Sequence, residues 1–426
     1  MSMRDTYTID IGGIGAGGAG VGRLPDGRVT FVQRTAPGER VEVRLTDVRR
    51  RWTRSELVRV LRTSPVRRPA PCPHYERCGG CTLEHVTYAA QLDAKRQIVV
   101  EALRRIGGVD VDVPPVMPSP REFRYRNRVS FSLLRLNDRV VAGFHELDRP
   151  DRIVDVGASC LLPEENVAVA WGEIRRHWGR NAARLPAGRR LRLTVRGTAG
   201  GAATLLVEGG RGPGEPEALL ERVPSLVGIW HRRRPGDEPT LLAGRASVME
   251  RWQEEDVALS GAAFLQVNRS AATLLEDHVA AAAQAVDGAS LVDAYCGVGL
   301  HARRLARAGW RVMGIDTDHE AVAEARRACP DGTFLAGRVE DRLKETLPVD
   351  LVILNPPRTG LDRAVPDVLL AERPARLVYV SCDPATLARD LARLSPGYRV
   401  LGLHCFDLFP QTSHVETVVE LECAIT

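Results

Sequence analysis

The chain contains almost no lysine: Lys95 and Lys344 are the two lysines among 426 residues, although lysine and arginine together number 59. A genome bias toward arginine explains why one cation replaces the other, but it does not explain an uneven charge. Residues 1–70 hold 14 arginines against 7 aspartates and glutamates, a net +7, whereas the whole chain carries +5. A basic N-terminal module indicates a polyanionic partner, most often nucleic acid.

Long apolar runs are also missing. The longest runs fall far short of the roughly 20 residues that a bilayer-spanning helix needs, and the first five residues, Met-Ser-Met-Arg-Asp, contain no apolar signal region. The composition, 44% hydrophobic and 27% charged, is typical of a soluble globular protein with room for two or three domains. We therefore expect a cytoplasmic protein without a membrane partner, and a monomer.

Nine cysteines, an odd number at uneven spacing, argue against a disulfide framework and favour metal binding or catalysis. Three of them form a C-x₅-C-x₂-C cluster with two glycines between the second and third, and a later cysteine supplies a fourth ligand. The candidate metal set is Cys72, Cys78, Cys81 and Cys160. The spacing leaves two occupants open: an iron–sulfur cluster, or zinc with His74 or His85 as a possible ligand. Structural packing of free thiols is the minor alternative.

Residues 4–62 alternate in the manner of four or five short strands separated by Pro/Gly turns. The glycine-rich stretch 12–22 contains a GxGxxG-like string, but a dinucleotide site needs a helix after the glycines and here another strand follows. We reject the nucleotide interpretation. The pattern predicts a small OB-like barrel, a common platform for single-stranded nucleic acid.

Residues 88–106 predict an amphipathic helix, and strand-like pieces continue from 123 to about 260. Residues 123–131 interleave arginines with aromatics, which suits contacts to phosphates and bases. An ordinary strand with a solvated arginine face is the alternative.

The last third has the pattern of a doubly wound α/β domain. Residues 290–299 read as a strand that ends in an acid, followed by a glycine turn and a helix, and a second strand ends at Asp316. Such an acid accepts hydrogen bonds from ribose hydroxyls. The third glycine of a pyrophosphate-binding loop is missing, which favours S-adenosylmethionine over NAD.

Cys382 follows a buried strand, residues 377–380, and precedes a helix that Asp383 and Pro384 open. Ligands bind at this edge of open α/β sheets, and a helix N-terminus lowers the pKa of a thiol. Cys382 is therefore a candidate nucleophile. A lone cysteine after a strand is more commonly a small buried residue.

Four motifs, in this order along the chain, resemble the S-adenosylmethionine-dependent RNA uracil-5-methyltransferase family across nearly the whole sequence. They are Phe-Leu-Gln-Val-Asn at 264–268, Asp-Ala-Tyr-Cys-Gly-Val-Gly at 293–299, Ser-Cys-Asp-Pro-Ala-Thr-Leu-Ala-Arg-Asp at 381–390 and Phe-Pro-Gln-Thr-Ser-His-Val-Glu at 409–416. The N-terminal stretch resembles a TRAM domain, an RNA-binding barrel.

The resemblance implies a multidomain α/β protein. Residues 1–65 form an OB-like TRAM barrel, residues 66–262 a central α+β domain, and residues 263–426 a Rossmann-like class I methyltransferase domain. Family members with the same cysteine pattern use it to hold a 4Fe–4S cluster. The resemblance therefore favours an iron–sulfur cluster over zinc.

The resemblance also implies the site residues. The expected cofactor-binding residues are Gln266, Tyr295, Asp316 and Asn355. Cys382 is expected to add to C6 of uracil, which makes C5 nucleophilic, and Glu416 to take the C5 proton afterwards. His414 is a second candidate base, although a histidine there is more often structural. The target base must leave its stack to reach the thiol.

Three positions depart from the family pattern. Asn355 stands where the family usually has Asp, Asp316 where it often has Glu, and Leu300 where an Asn is common after the glycine turn. These changes bear on details of cofactor and base recognition.

Family members that carry both the barrel and the cluster more often act on large-subunit ribosomal RNA. The resemblance therefore implies methylation of a uridine in 23S ribosomal RNA, with tRNA as the alternative target. An RNA cytosine-5-methyltransferase would carry a second cysteine just after the Pro-Pro pair, where this chain has Arg358. A non-enzymatic, metal-stabilised RNA-binding protein would not need both Cys382 and Glu416. The basic barrel and the central domain disfavour a small-molecule methyltransferase.

Overall fold

The computed structural model describes residues 6–137, 139–261, 263–286 and 288–424. The strands are β1 (Thr6–Ile14), β2 (Gly20–Arg23), β3 (Val29–Val32), β4 (Arg40–Val48), β5 (Trp52–Arg62), β6 (Arg128–Arg135), β7 (Val140–His145), β8 (Ile153–Asp155), β9 (Arg190–Gly197), β10 (Ala203–Glu208), β11 (Leu226–Arg232), β12 (Thr240–Gly244), β13 (Val248–Trp252), β14 (Glu255–Leu259), β15 (Ser290–Ala294), β16 (Arg311–Asp316), β17 (Thr333–Ala336), β18 (Leu351–Leu354), β19 (Arg376–Ser381), β20 (Tyr398–Phe406) and β21 (Glu416–Cys423). The α-helices are α1 (Tyr88–Ala102), α2 (Glu165–His177), α3 (Pro216–Arg222), α4 (Arg269–Gln284), α5 (Leu300–Arg307), α6 (His319–Ala328), α7 (Val339–Arg342), α8 (Ala364–Glu372) and α9 (Pro384–Leu394).

The chain forms two compact units. The first comprises residues 1–69, 82–120 and 271–426, and the second comprises residues 70–81 and 121–270. This grouping by contact differs from the three sequence-based domains, whose boundaries remain a prediction. No helix in the described ranges is both long and apolar enough to cross a membrane.

Within the first unit, β1 to β5 close into a barrel in the order β1-β2-β3-β5-β4. Inward-facing side chains such as Ile9, Ile11, Val41 and Val43 alternate with exposed ones and fill its core. The glycine-rich stretch runs from the end of β1 through a turn into the antiparallel strand β2, with no helix after it. The predicted OB-like barrel is confirmed, and the rejection of a dinucleotide site agrees with this geometry.

The methyltransferase sheet of the first unit has the order β17-β16-β15-β18-β19-β21-β20. Its central strands β15 and β18 are buried along their whole length, as expected for parallel strands covered on both faces, and β21 is antiparallel to its neighbours. The strand order reverses between β15 and β18, which is where ligands bind in doubly wound sheets. The predicted Rossmann-like class is confirmed.

Helix α1 packs on this sheet through Val99, whose hydrophobic cluster includes Val352 and Leu354 of β18. The predicted helix over 88–106 is therefore present. Its α-helical part ends at Ala102, and a π-helical turn continues to Gly107.

The second unit is built on a mixed sheet in the order β12-β11-β10-β9-β6-β7-β8, with a separate β13–β14 hairpin. Helix α2 covers the sheet, and the ring of its Trp171 stacks on Phe131 of β6 with centroids 4.1 Å apart. The strand-like pieces that the sequence predicts from 123 to about 260 correspond to strands of this unit, among them β6, β7, β9 and β10.

Candidate active site

Four predicted site residues meet at one edge of the methyltransferase sheet. Tyr295 follows β15, Asp316 ends β16, Asn355 follows β18 and Cys382 follows β19. Because these four strands are parallel, their carboxyl ends lie at the same edge.

The glycine turn after β15 joins this edge to Asp316. Tyr295 and Gly297 have φ angles of 68° and 54°, and a Cβ on Gly297 would meet nothing within 4 Å. The Gly297 N–H donates to one carboxylate oxygen of Asp316 (2.8 Å) and the Asp318 N–H to the other (2.9 Å). Burial raises the pKa of Asp316, and these N–H donors oppose the rise. Each carboxylate oxygen can accept a second hydrogen bond, as a ribose hydroxyl would require.

Asp293, on β15, opens the 293–299 motif but was not among the predicted site residues. It is fully buried, neither carboxylate oxygen makes a hydrogen bond of good geometry, and burial raises its pKa to about 7 despite the opposing effect of the Ala302 N–H. An acid buried at a ligand-binding edge is a candidate partner for a cationic ligand group. In the sequence, its position at the end of an apolar strand and before a glycine turn was the signal that could have identified it.

Helix α9 holds the loop that follows β18. From α9, the Thr386 hydroxyl donates to the Arg358 carbonyl (3.2 Å) and the Arg389 guanidinium to the Thr359 carbonyl (2.9 Å). At the start of the loop, the Asn355 N–H donates to the Ala294 carbonyl (3.3 Å). The two prolines between Asn355 and Arg358 restrict the same loop. Its backbone is therefore fixed beside Arg358, whose charge acts on Cys382.

Asp390 is the buried anchor of this arrangement. Its Oδ2 accepts hydrogen bonds from the Leu361 N–H (2.8 Å) and from the Tyr379 hydroxyl (2.9 Å), while Arg389 and Arg393 contact its other oxygen. The carboxylate thus ties β19, α9 and the loop after β18 together, which explains why an acid ends the 381–390 motif.

Cys382 is half-buried just after the end of β19. Asp383 caps α9 by accepting hydrogen bonds from the Ala385 and Thr386 N–H groups, so the thiol does precede a helix N-terminus. The net shift of the thiol pKa is nevertheless upward. Burial and the charge of Glu416 raise the pKa of Cys382 to about 11, and they outweigh the opposing effect of Arg358.

Glu416 begins β21 and is buried. Burial raises the pKa of its carboxyl to about 7, against the opposing charge of Arg358. Arg358 is thus the cation that acts on both Cys382 and Glu416. From the sequence alone, Arg358 was evidence only against a cytosine-specific enzyme, and its effect on these two groups was not predicted. His414 lies two residues before Glu416, half-buried, with its ring edge-on to Phe409 at 5.9 Å.

The segment leading to Glu416 is anchored from α1. The buried ammonium group of Lys95 donates to Asp407 (2.5 Å) and to the Phe409 carbonyl (3.1 Å). The side-chain amide of Gln91 exchanges hydrogen bonds with Gln411, donating to its Oε1 (2.9 Å) and accepting from its N–H (3.0 Å). These two residues were missed because a buried lysine and glutamine look like exposed helix residues in a sequence.

The glycine-rich turn of the barrel contacts the same segment. The Ser413 hydroxyl donates to the Ala16 carbonyl (2.5 Å). A Cβ on Gly18, whose φ is 79°, would lie 2.3 Å from the Thr82 hydroxyl oxygen, so only glycine allows this close approach. The stretch therefore serves close packing beside the segment that carries His414 and Glu416.

Gln266, the fourth predicted cofactor residue, belongs to the second unit. It is half-buried, and its backbone carbonyl accepts a hydrogen bond from the Asn127 side chain (2.9 Å). Its role in cofactor binding remains a prediction.

The four predicted metal ligands lie in the second unit, three of them buried. Burial, and then the neighbouring Cys72 and Cys78, raise the pKa of Cys160 to about 12, and the Arg126 guanidinium interacts electrostatically with the Cys81 and Cys160 sulfurs. The four thiols are therefore neighbours, although they are far apart in sequence.

Two glycines let the cysteine loop lie against β7. A Cβ on Gly79 would sit 2.9 Å from the His145 carbonyl oxygen, and one on Gly80 would sit 3.2 Å from the Phe144 ring. The donor set suits a thiolate-bound metal centre. Of the histidines considered for zinc, His74 bonds to Ser159 (2.8 Å), while His85 lies in the first unit, where burial lowers its pKa to about 4.

Basic side chains gather at the turn between β4 and β5. Arg49, Arg50 and Arg51 are exposed and, with Trp52, line a surface depression; the Arg54 guanidinium lies 5.5 Å from the Trp52 ring centre. Cations beside an aromatic face suit phosphates and bases.

Comparisons with known proteins agree with this architecture. Residues 3–58 match the TRAM domain family, residues 291–372 a methyltransferase domain family, and residues 336–424 the tRNA (uracil-5-)-methyltransferase family. An uncharacterized RNA methyltransferase of Gloeobacter violaceus is 37% identical over 98% of this chain and 96% of its own length, and one of Thermosynechococcus vestitus is 36% identical over 98% of both.

The crystal structure of Pyrococcus abyssi tRNA (uracil-54, C5)-methyltransferase in complex with S-adenosyl-L-homocysteine is similar to this structure. The TM-score is 0.74 at 26% sequence identity, and the match covers 97% of this chain and 99% of that one. The chain belongs to the family of RNA methyltransferases that combine a TRAM domain with a tRNA (uracil-5-)-methyltransferase-like domain.

Proposed function

We propose that this protein transfers a methyl group from S-adenosylmethionine to C5 of a specific uridine in RNA, through a covalent bond between Cys382 and C6. The observation that carries the proposal is the meeting of a thiol, a buried carboxyl and a guanidinium at Cys382, Glu416 and Arg358. The similarity to a tRNA (uracil-54, C5)-methyltransferase supports the same reaction.

The first step is the addition of the Cys382 thiolate to C6 of uracil, which forms the S–C6 bond and pushes electron density onto C5. Arg358 favours this step because its positive charge stabilises the thiolate. The C5 carbon then attacks a methyl group, and S-adenosylmethionine supplies that group as a sulfonium electrophile when it is bound.

Glu416 completes the reaction. Its carboxylate accepts the C5 proton, the electron pair of that C–H bond forms the C5–C6 double bond, and the S–C6 bond breaks to release the Cys382 thiolate. A carboxyl whose pKa is raised to about 7 can gain and lose this proton near neutral pH.

The remaining site residues are proposed to bind and orient the cofactor. Asp316 accepts hydrogen bonds from the ribose hydroxyls of the cofactor, Tyr295 and Asn355 line the crevice, and Gln266 is the fourth proposed cofactor residue. Asn355 carries no charge, so recognition here relies on the amide rather than on the carboxylate usual in the family.

Cys72, Cys78, Cys81 and Cys160 would hold a 4Fe–4S cluster. Such a cluster would cross-link the loop 72–81 to the segment around Cys160, and no step of the methylation passes through it. An anaerobic preparation is expected to be brown and to contain about four iron and four sulfide per chain. Cys160→Ser should lose the visible absorption, and a colourless protein with one zinc per chain would overturn the assignment.

The RNA substrate is proposed to be 23S ribosomal RNA. This preference rests on the resemblance, because family members that have both the barrel and the cysteine set more often act on large-subunit ribosomal RNA. Transfer RNA is the second candidate, because the similar Pyrococcus abyssi enzyme is named for a tRNA and matches over 99% of its length.

The decisive experiment incubates the protein with S-adenosylmethionine carrying a labelled methyl group and either 23S ribosomal RNA or tRNA that lacks 5-methyluridine. Digested nucleosides are then separated by mass spectrometry. Label in 5-methyluridine of ribosomal RNA alone is the expected result. Label in tRNA alone would identify tRNA as the substrate instead. Label in 5-methylcytidine would refute methylation of uracil.

The covalent step is tested with RNA that contains 5-fluorouridine, because fluorine at C5 cannot leave as a proton does. The wild-type chain should form an adduct that survives denaturing electrophoresis, and Cys382→Ala should not. Cys423→Ser is the matched control, since Cys423 is also half-buried but lies at the opposite end of β21. An adduct formed by Cys382→Ala would disprove the assigned nucleophile.

A further inference from the structure

Two histidines and a glutamate meet on the far part of the methyltransferase sheet, outside the site described above. His278 is on α4, His404 on β20 and Glu420 on β21. Their ligand atoms, one from each residue, all lie within 4.8 Å of one another. His404 is exposed, and the other two are half-buried.

The sheet register places two of these side chains on one face. Glu420 pairs with Gly402 across the β20–β21 ladder, and His404 lies two residues further along β20. Side chains two residues apart in a strand share a face, so His404 and Glu420 are diagonal neighbours.

Helix α4 covers the same face. Its Leu275 and Val279 pack in the hydrophobic cluster that contains Val418 and Phe406. His278 therefore projects beside Phe406, with ring centres 5.7 Å apart, and reaches the two sheet residues from above.

The spacing is close to that of a metal site. Zinc bonds of about 2.1 Å in a tetrahedron place neighbouring ligand atoms about 3.4 Å apart. The Nε2 of His278 and the Oε1 of Glu420 are already 3.2 Å apart. The rings of His278 and His404 have centres 4.1 Å apart and are tilted by 47°, and all three ligand atoms lie within 4.8 Å of one another. Side-chain rotation would be needed to bring the third atom to the same centre.

We propose that His278, His404 and Glu420 bind one divalent transition-metal ion of the zinc class, with water completing its coordination. Two imidazoles and one carboxylate are a donor set that zinc and neighbouring first-row metals accept, with water in an open position. The ion joins α4, β20 and β21. It thereby stabilises the strand that carries Glu416 four residues before Glu420.

The alternative is an ordinary ion pair between His278 and Glu420, in which His404 plays no part. The two cases differ in what His404 does. A metal site loses a ligand when His404 is removed, whereas a His278–Glu420 pair remains.

The test measures zinc binding by the full-length protein purified anaerobically, so that the cysteine set keeps its own metal. The protein is dialysed against buffered zinc ion, and zinc and iron are counted together by mass spectrometry. We expect His404→Gln to bind one zinc equivalent fewer than the wild type with its iron content unchanged. Where residual binding is measurable, its affinity should fall at least about tenfold. Glu420→Gln should behave in the same way.

His319→Gln is the matched control, because His319 is an exposed histidine on α6 outside the cluster. It should retain the wild-type zinc equivalents. Zinc should also raise the midpoint of thermal unfolding of the wild type and of His319→Gln but not of His404→Gln. Equal zinc equivalents in the wild type and in His404→Gln would overturn the proposal, as would an equal zinc-dependent shift in both.

Discussion

Cys382 follows Ser381 in the chain, and Glu416 precedes Thr417. Ser381 and Thr417 are directly paired in the antiparallel ladder between β19 and β21. Residues opposite each other in such a ladder project to the same face. The thiol and the carboxyl are therefore neighbours because of the sheet register. The effect of Glu416 on the pKa of Cys382 agrees with this proximity.

The first prediction concerns the thiol. Glu416→Gln removes a negative charge beside Cys382, so the pKa of the thiol should fall below about 11 and the thiolate fraction at pH 8 should rise. Alkylation by iodoacetamide, followed by peptide mass spectrometry, should be several-fold faster at Cys382 and unchanged at Cys423. Equal or slower alkylation of Cys382 would contradict the proposed electrostatic coupling.

The second prediction is the pH dependence of methylation. The rate should rise as pH increases from 6 to 9. In the proposed mechanism Glu416, with a pKa of about 7, must be deprotonated to accept the C5 proton, and Cys382, with a pKa of about 11, must lose its proton to attack. Single-turnover rates measured with saturating RNA would show this slope. A maximum below pH 8 with RNA still bound would mean that the two groups titrate differently.

The third prediction concerns Arg358. Its charge lowers the pKa of both Cys382 and Glu416, so Arg358→Leu should raise both and slow single-turnover methylation by about tenfold or more at pH 7.5. Raising the pH should restore part of the rate, and Arg358→Lys should retain more activity than Arg358→Leu.

Arg363→Leu is the control for this experiment, since Arg363 is an exposed arginine slightly further along the same connection. A loss in Arg358→Leu that is independent of pH would indicate that Arg358 contacts the RNA rather than tuning the two acids.

The fourth prediction tests the anchor below the site. Lys95 and Asp407 are both fully buried, so Lys95→Met leaves an uncompensated carboxylate and should lower the free energy of unfolding by about 3–5 kcal/mol. The double substitution of Lys95→Met and Asp407→Asn should recover part of this loss. Urea denaturation measures both, and Arg59→Met, which breaks an exposed ion pair with Glu42, should change stability little.

The sequence predicted what depends on local pattern. Alternation identified the barrel strands, and the apolar strands ending in Asp316 and Cys382 identified the sheet edge, because the carboxyl ends of parallel strands converge. The resemblance supplied Glu416, which periodicity alone would have left as an ordinary strand residue.

The sequence could not predict effects that arise from three-dimensional neighbours. The raised pKa of Cys382 comes from burial and from a carboxyl 34 residues away, and the sequence around the thiol shows neither effect. Lys95 and Gln91 reach partners more than 300 residues away in the chain. The cluster of His278, His404 and Glu420 comes from three separate elements, so its members show no common spacing.

The fifth prediction concerns RNA binding by the barrel. Arg50 and Arg51 are exposed in the turn beside Trp52, where they can neutralise phosphates. Replacing both with Gln should weaken RNA binding and reduce the slope of log affinity against log salt by about 0.7 for each phosphate that is no longer neutralised. Fluorescence anisotropy at several salt concentrations measures both quantities. The control replaces Arg104 and Arg105, which pair with Glu101, with Gln in the same way. An equal loss of affinity in that variant would mean that net charge, rather than this turn, governs binding.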